Sequence, residues 1–248
     1  MKVYLNIKFF FIVNFILLVT TNLSAEAIFT PPNFPEKEVI KYRTFKKSNT
    51  NNITILEKKL IRTNINGAVY YKIYTKSTEG FNRIELLDKN LFTIKFLQMR
   101  GKEVDRKLTR EGDMIHLIMP PKDIDKYIKI KNEVYDAKSM QYLLRCFPWK
   151  KQKSIEFYSM LNNGRIVKLR AEKKGISEVK IPAGKFKAYK VLIEPASRIA
   201  KLVYRTKLYF YFSVKSPYPY LKYEDTDGGT DEVISIKTYY KGGTINEK

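Results

Sequence analysis

The feature that most limits what this chain can fold into is the spacing of its turns. Beyond Lys37, short runs of alternating character are interrupted by Asn66-Gly67, Glu79-Gly80, Asp88-Lys89-Asn90, Arg100-Gly101-Lys102 and Glu111-Gly112-Asp113. Within the runs the side chains alternate: Val69, Tyr71 and Ile73 share one face, and Tyr70, Lys72 and Tyr74 the other. Phe92, Ile94 and Phe96 alternate in the same way with Thr93, Lys95 and Leu97. A period of two is that of a strand, and turns every 8–12 residues or so mark antiparallel all-β domains. Spacers this short leave no room for the crossover helices that a parallel sheet needs.

The pattern forms two meanders, over 37–119 and 154–240, within a single β domain over 37–240. Pro120-Pro121 closes the first, and 122–133 reads as charged and irregular. Met140, Leu143, Leu144 and Phe147 recur at helical spacing behind Asp136, a residue suited to capping free N–H groups. One short helix is therefore expected over about 137–146, plugging or bracing the sheet. The second meander reads as strands over 155–161, 165–173, 176–181, 186–194, 202–213, 220–224 and 232–240, with Lys174-Gly175 and Pro182-Ala183-Gly184-Lys185 as turns. About a dozen strands exceed what a flat open sheet carries, so the meander is expected to curl into a barrel or half-barrel. Residues 28–36, with three prolines, read as an extended leader, and 241–248 as a frayed tail.

The first residues follow another logic. Lys2 and Lys8 precede an apolar run, Phe9 to Val19, and then a small, polar stretch ending Ala25-Glu26-Ala27. That order predicts a secretory signal over 1–27, cleaved after Ala27 or Ala25. The apolar run is shorter than the roughly 20 residues a membrane span needs. The expected location is the periplasm or the cell envelope. A lone Cys146 fits such a protein: it cannot form an internal bridge, and beside Leu144 and Phe147 it reads as a small buried apolar residue.

Charge is the other strong compositional signal, at +22 for the whole chain. Lysine is scattered rather than blocked, which favours a solvated surface over a dedicated site. Export argues against nucleic acid as the partner, and leaves anionic membrane or envelope surfaces as the alternative.

Residues able to carry chemistry are few. His116, the one histidine, sits among apolar neighbours and reads as structural. The loop Glu224 to Glu232 is acidic, and Asp225 and Asp227 are the weak metal candidates in it, but its spacing misses the EF-hand register. Asp-Gly there supplies turn geometry instead. No cofactor is called for. Leu202, Tyr204, Leu208, Phe210 and Phe212 alternate onto one face of the expected 202–213 strand. Small barrels fill their interior or hold one apolar ligand, so these five are the candidate binding residues.

Ile181-Pro182-Ala183-Gly184-Lys185-Phe186-Lys187-Ala188-Tyr189-Lys190-Val191 resembles a signature of an exported bacterial family known as domain of unknown function 3108. The aromatic strand Tyr209 to Phe212 with Ser213, and the segment Pro217 to Glu224, are similar to the elements that follow it. Leu143-Leu144-Arg145-Cys146-Phe147-Pro148 resembles the family's element ahead of the second meander, and the resemblance runs over about 140–240. The aromatic strand departs from the pattern in carrying Phe and Tyr where Trp is common. The resemblance implies an antiparallel barrel or half-barrel outside the cytoplasm and no catalytic residues. The leading expectation is a non-enzymatic envelope protein, binding a lipid or other apolar ligand in a barrel cavity. Its alternatives are a structural protein docking to anionic envelope surfaces, and a glycan-directed enzyme using the 224–232 acids.

Overall fold

A computed structural model describes residues 29–240 and, for the backbone only, 243–247. The expected signal over 1–27 lies outside the described residues.

The first meander is β1 (Lys37–Lys46), β2 (Asn49–Ile65), β3 (Ala68–Ser77), β4 (Phe81–Asp88), β5 (Thr93–Arg100), β6 (Glu103–Glu111), β7 (Met114–Met119) and β8 (Ile124–Lys129). A short β9 (Val134–Asp136) follows, and then a helical stretch over 137–146 whose central turn is α1 (Met140–Leu143). The second meander is β10 (Ser154–Met160), β11 (Ile166–Ile181), β12 (Gly184–Pro195), β13 (Leu208–Ser213), β14 (Tyr220–Asp225) and β15 (Gly229–Tyr240). A second helix, α2 (Arg198–Val203), interrupts it, and β16 (Gly243–Glu247) pairs back onto β15.

All of these strands join one sheet in the order 8-7-6-5-4-3-2-1-15-14-13-12-11-10-9. Every pairing is antiparallel except that of β9 with β10. The edges β8 and β9 are neighbours in sequence, separated only by residues 130–133. Laid flat, fifteen strands would put those edges about 65–70 Å apart, whereas the linking residues reach about 18 Å at most. The sheet must therefore curl until its edges meet. They meet through side chains rather than a backbone ladder. Phe96, Leu108, Ile115, Ile130, Val134 and Met160 form an apolar cluster across the seam. Arg110 Nη1 donates to the Val134 carbonyl at 3.3 Å, and Lys126 Nζ to that of Asn163 at 3.1 Å. The result is a half-barrel whose ladder stays open.

Inside the curl runs the 137–146 stretch, and polar contacts hold it at successive strands. Asp136 pairs with Arg106 of β6, and the Ser139 hydroxyl donates to Glu85 of β4 at 2.8 Å. Lys58 of β2 donates to the Gln141 side-chain oxygen at 2.8 Å. Arg145 forms a two-pronged pair with Glu38 of β1, at 2.6 and 3.0 Å. The stretch is thus a strut laid across the strands. Burial would lower the Arg145 pKa, but the Glu38 carboxylate more than offsets it and holds the guanidinium charged. Burial, reinforced by Arg83, pushes the Lys58 ammonium down to about 8.

Several expectations are corrected. Lys174-Gly175 is not a turn: β11 runs through it, with a register shift against β12 between Lys173 and Gly175 and Gly175 at φ +139°. An isolated glycine within a strand pattern marks a bulge of this kind. Residues 122–133 are not irregular, because β8 and the link to β9 close the curl there. The stretch 202–207 is not strand: Ser197 accepts from the Ala200 amide and starts α2, and extended structure resumes only at Leu208. The leader enters the core rather than merely leading to it. Phe29 packs edge-on against Tyr135 and Phe157, and Phe34 against Tyr71 and beneath Arg145. The tail is not simply frayed, since β16 lies within it.

Candidate functional site

The inner faces of β11, β12 and β13 turn toward the strut. At one end the space between them is filled. Trp149 stacks on Tyr189 with ring centres 4.5 Å apart, and Phe147, Phe212 and Tyr218 close around it. Arg145 Nε donates to the Pro217 carbonyl at 3.1 Å, which fixes this end to the strut.

At the other end the space is open. A cavity of about 460 Å³ lies between these strands, the strut and α2. Met140 of the strut, Leu161, Val167, Leu169, Ile193, Leu208 and Phe210 supply an apolar wall. Ser197, Ala200 and Tyr204 cover it from the α2 segment. Arg165 stands at the rim, and no carboxylate lies within ion-pair distance of it among the described residues. Nearby Lys168 is held by Glu156 at 2.7 Å.

The five residues singled out from the sequence therefore separate. Tyr204, Leu208 and Phe210 line the cavity. Phe212 is fully buried in the packed end, against Trp149. Leu202 lies in α2, 74% exposed and directed away from the cavity wall. Reading the sequence missed Val167, Leu169 and Ile193 as lining. Their alternation along β11 and β12 was visible, but which face turned inward was not.

The acids of the 224–232 loop are engaged with the turn itself and with neighbouring side chains. Asp225 accepts from the amides of Asp227 and Gly229 at 2.9 and 2.8 Å and from the Tyr223 hydroxyl at 2.8 Å, so it builds the turn. Asp227 accepts from the Thr206 hydroxyl at 2.7 Å. Glu232 pairs with Arg43 at 2.6 Å. Asp231 accepts from Tyr220 at 3.4 Å, and burial raises its pKa. Burial opposes the ionised form of Glu224 too, but the Tyr211 hydroxyl and Lys222 outweigh it and lower its pKa. The register places Tyr223 opposite Asp231 and Glu224 opposite Thr230, so Glu224 and Asp231 project from opposite faces of the sheet. Among the described residues, no three His, Cys, Asp or Glu gather as a metal site.

His116 and Cys146 have structural surroundings. His116 stacks on Tyr127 with centroids 4.2 Å apart and sits 2.7 Å from an Asp125 carboxylate oxygen. Cys146 is buried, its sulfur 3.6 Å from the Tyr142 carbonyl, and burial pushes the thiol pKa up. A thiol held protonated is a poor nucleophile.

The family model described as protein of unknown function (DUF3108) matches residues 93–233, more than half of the chain. The chain belongs to the DUF3108 family. The match begins at β5, well ahead of the 140–240 stretch in which the signature residues lie, and takes in the strut and the whole cavity wall. Two of the stretches that carried the resemblance, Leu143 to Pro148 and Pro217 to Glu224, are joined in space by the Arg145 contact to Pro217. Among solved structures, the chain is similar to a beta-barrel-like protein of domain of unknown function DUF1849 from Brucella abortus. The identity is 9%, over 84% of this chain and 99% of that one, with a TM-score of 0.51. A protein of YmcC-like fold from Bacteroides fragilis aligns over 85% of this chain and 100% of that one, at 10% identity and a TM-score of 0.31. At these identities the likeness to the Brucella protein speaks for fold alone. No curated protein matches the chain.

Proposed function

We propose that this DUF3108 protein is a non-enzymatic, exported envelope protein that carries an apolar chain, such as a lipid acyl group, in the cavity beside Phe210. The cavity is the observation that carries the reading. Its volume, about 460 Å³, falls in the range of small-molecule sites, roughly 300–1,000 Å³, and its wall is mostly apolar, with Glu194, Ser197 and Thr206 among its polar members. Arg165 at the rim suits an acidic head group on such a chain. The signal-like N-terminus supports an envelope location.

The test is recovery of ligand. The purified protein, extracted with organic solvent and examined by mass spectrometry, is expected to yield a lipid in near-stoichiometric amount. It should also take up a fluorescent fatty-acid probe. Leu169→Trp, which fills the wall, should reduce uptake about tenfold or more. Absence of both lipid and probe uptake in the native protein sinks the reading.

A further inference from the structure

The helix α2 has two unlike sides. Ser197, Ala200 and Tyr204, at helical spacing, face the cavity. On the other side Ile199, Leu202 and Val203 stand 76%, 74% and 72% exposed, and nothing among the described residues covers them. Three adjoining aliphatic side chains bared on one turn of helix form the kind of surface that a partner hides.

The flanking charges select the partner. The segment 196–207 reads ASRIAKLVYRTK, with four basic residues and no acidic one. Lys201 is engaged by Glu194 at 2.5 Å, but Arg198, Arg205 and Lys207 have no carboxylate within ion-pair distance among the described residues. Aliphatic groups on one side of a short helix, bordered by free cations, match an anionic bilayer surface. The apolar side chains enter the acyl boundary and the cations meet lipid phosphates. A protein groove would satisfy the aliphatic groups but would need its own carboxylates arranged around them.

We infer that residues 196–207 dock this protein on anionic lipid bilayers, with Ile199, Leu202 and Val203 inserted and Arg198, Arg205 and Lys207 at the head groups. Because the opposite side of the same helix covers the cavity, docking sets the cavity mouth at the membrane surface. That consequence rests on the carrier reading; the docking itself does not.

The experiment uses the purified protein and two vesicle compositions, phosphatidylglycerol mixed with phosphatidylethanolamine, and phosphatidylcholine alone. Cosedimentation is expected with the first, weakened by added salt, and far less with the second. Leu202→Asp should weaken partitioning tenfold or more, since it withdraws a side chain whose burial is worth about that factor. Substituting Arg198→Gln with Arg205→Gln should weaken it by a similar factor on anionic vesicles only. Both sites are exposed, so folding should persist, as checked by circular dichroism. Leu202→Trp adds direct evidence: its emission should shift to the blue on anionic vesicles and be quenched by brominated acyl chains, over the unchanged background of buried Trp149. Ile176→Asp, at an exposed site on β11, serves as the control for general stickiness. Equal weakening by Ile176→Asp and Leu202→Asp overturns the proposal, as does native binding that Leu202→Asp leaves unchanged. Vesicle binding that persists while no fatty-acid probe enters the cavity supports docking and removes the carrier reading alone.

Discussion

Phe210 and Phe212 are two residues apart on one face of β13, yet they occupy different environments. Phe212 is fully buried under Trp149 and beside Tyr220. Phe210 is only partly buried and lines the open cavity, against Tyr223 on its flank. They share a face of one strand, although its register against β14 shifts between Tyr211 and Phe212, and different groups lie in front of each. Trp149, three residues beyond the strut, lies over Phe212, whereas the strut offers the Phe210 end only Ala137 and Met140. An aromatic face is therefore core or binding wall according to a segment remote in sequence.

The contrast breaks or sharpens under substitution. Phe212→Ala should cost about 3–5 kcal/mol in urea-induced unfolding, and Phe210→Ala far less; equal losses would erase the distinction. Arg145→Ala leaves Glu38 buried without its partner and should cost a similar ~3–5 kcal/mol, confirming that the packed end is held from the strut. Gly164, in the turn at the seam, has φ +79°, and a Cβ there would come within 2.7 Å of Leu117 Cδ2. Gly164→Ala should destabilise by about 1–3 kcal/mol, by overpacking and backbone strain together, without altering probe uptake.

The smallest effect concerns charge. The folded protein releases the Lys58 proton near pH 8, whereas the unfolded chain holds it to about 10.4. The unfolded state thus binds more protons across that interval, and stability rises as pH increases above 8. The rise should end near pH 9, where Cys146 ionises in the unfolded chain while burial keeps its thiol protonated in the fold, and the buried Tyr42, Tyr142 and Tyr220 turn it into a fall near pH 10. Lys58→Met should lower the slope of denaturation midpoints between pH 7 and 9 relative to the native protein, leaving the smaller contribution of Lys138, whose pKa burial also lowers, and an unchanged slope assigns the rise elsewhere.

Much of the fold was legible because each strand carries its own signal. Asn66-Gly67 turns β2 into β3 at positive φ for both residues, as that dipeptide predicts, and 137–146 is helical as its spacing indicates. What escaped reading depends on contacts across the curl. Arg83, Glu85, Gln98 and Arg106 look like solvent-facing residues of β4 to β6, but they are turned inward because the strut brings polar groups to meet them. The site was legible only in part for the same reason: Leu208 and Phe210 follow from alternation, whereas the cover over them is a helix whose aliphatic run also reads as strand.

The strand order carries one more consequence. The break in the ladder falls between β8 and β9, neighbours in sequence, while β1 pairs with β15 and so brings the two ends of the sheet sequence together in its middle. Cut at 130–133 and joined from β16 to β1, the strands β9 to β15 followed by β1 to β8 would run edge to edge in simple order. The molecule is, in that sense, a meander read from the wrong starting point, with the parallel β9–β10 pair its one departure from up-and-down order. A circular permutant opened at the seam would exchange the long-range β1–β15 closure for a local connection and should fold faster than the natural order allows.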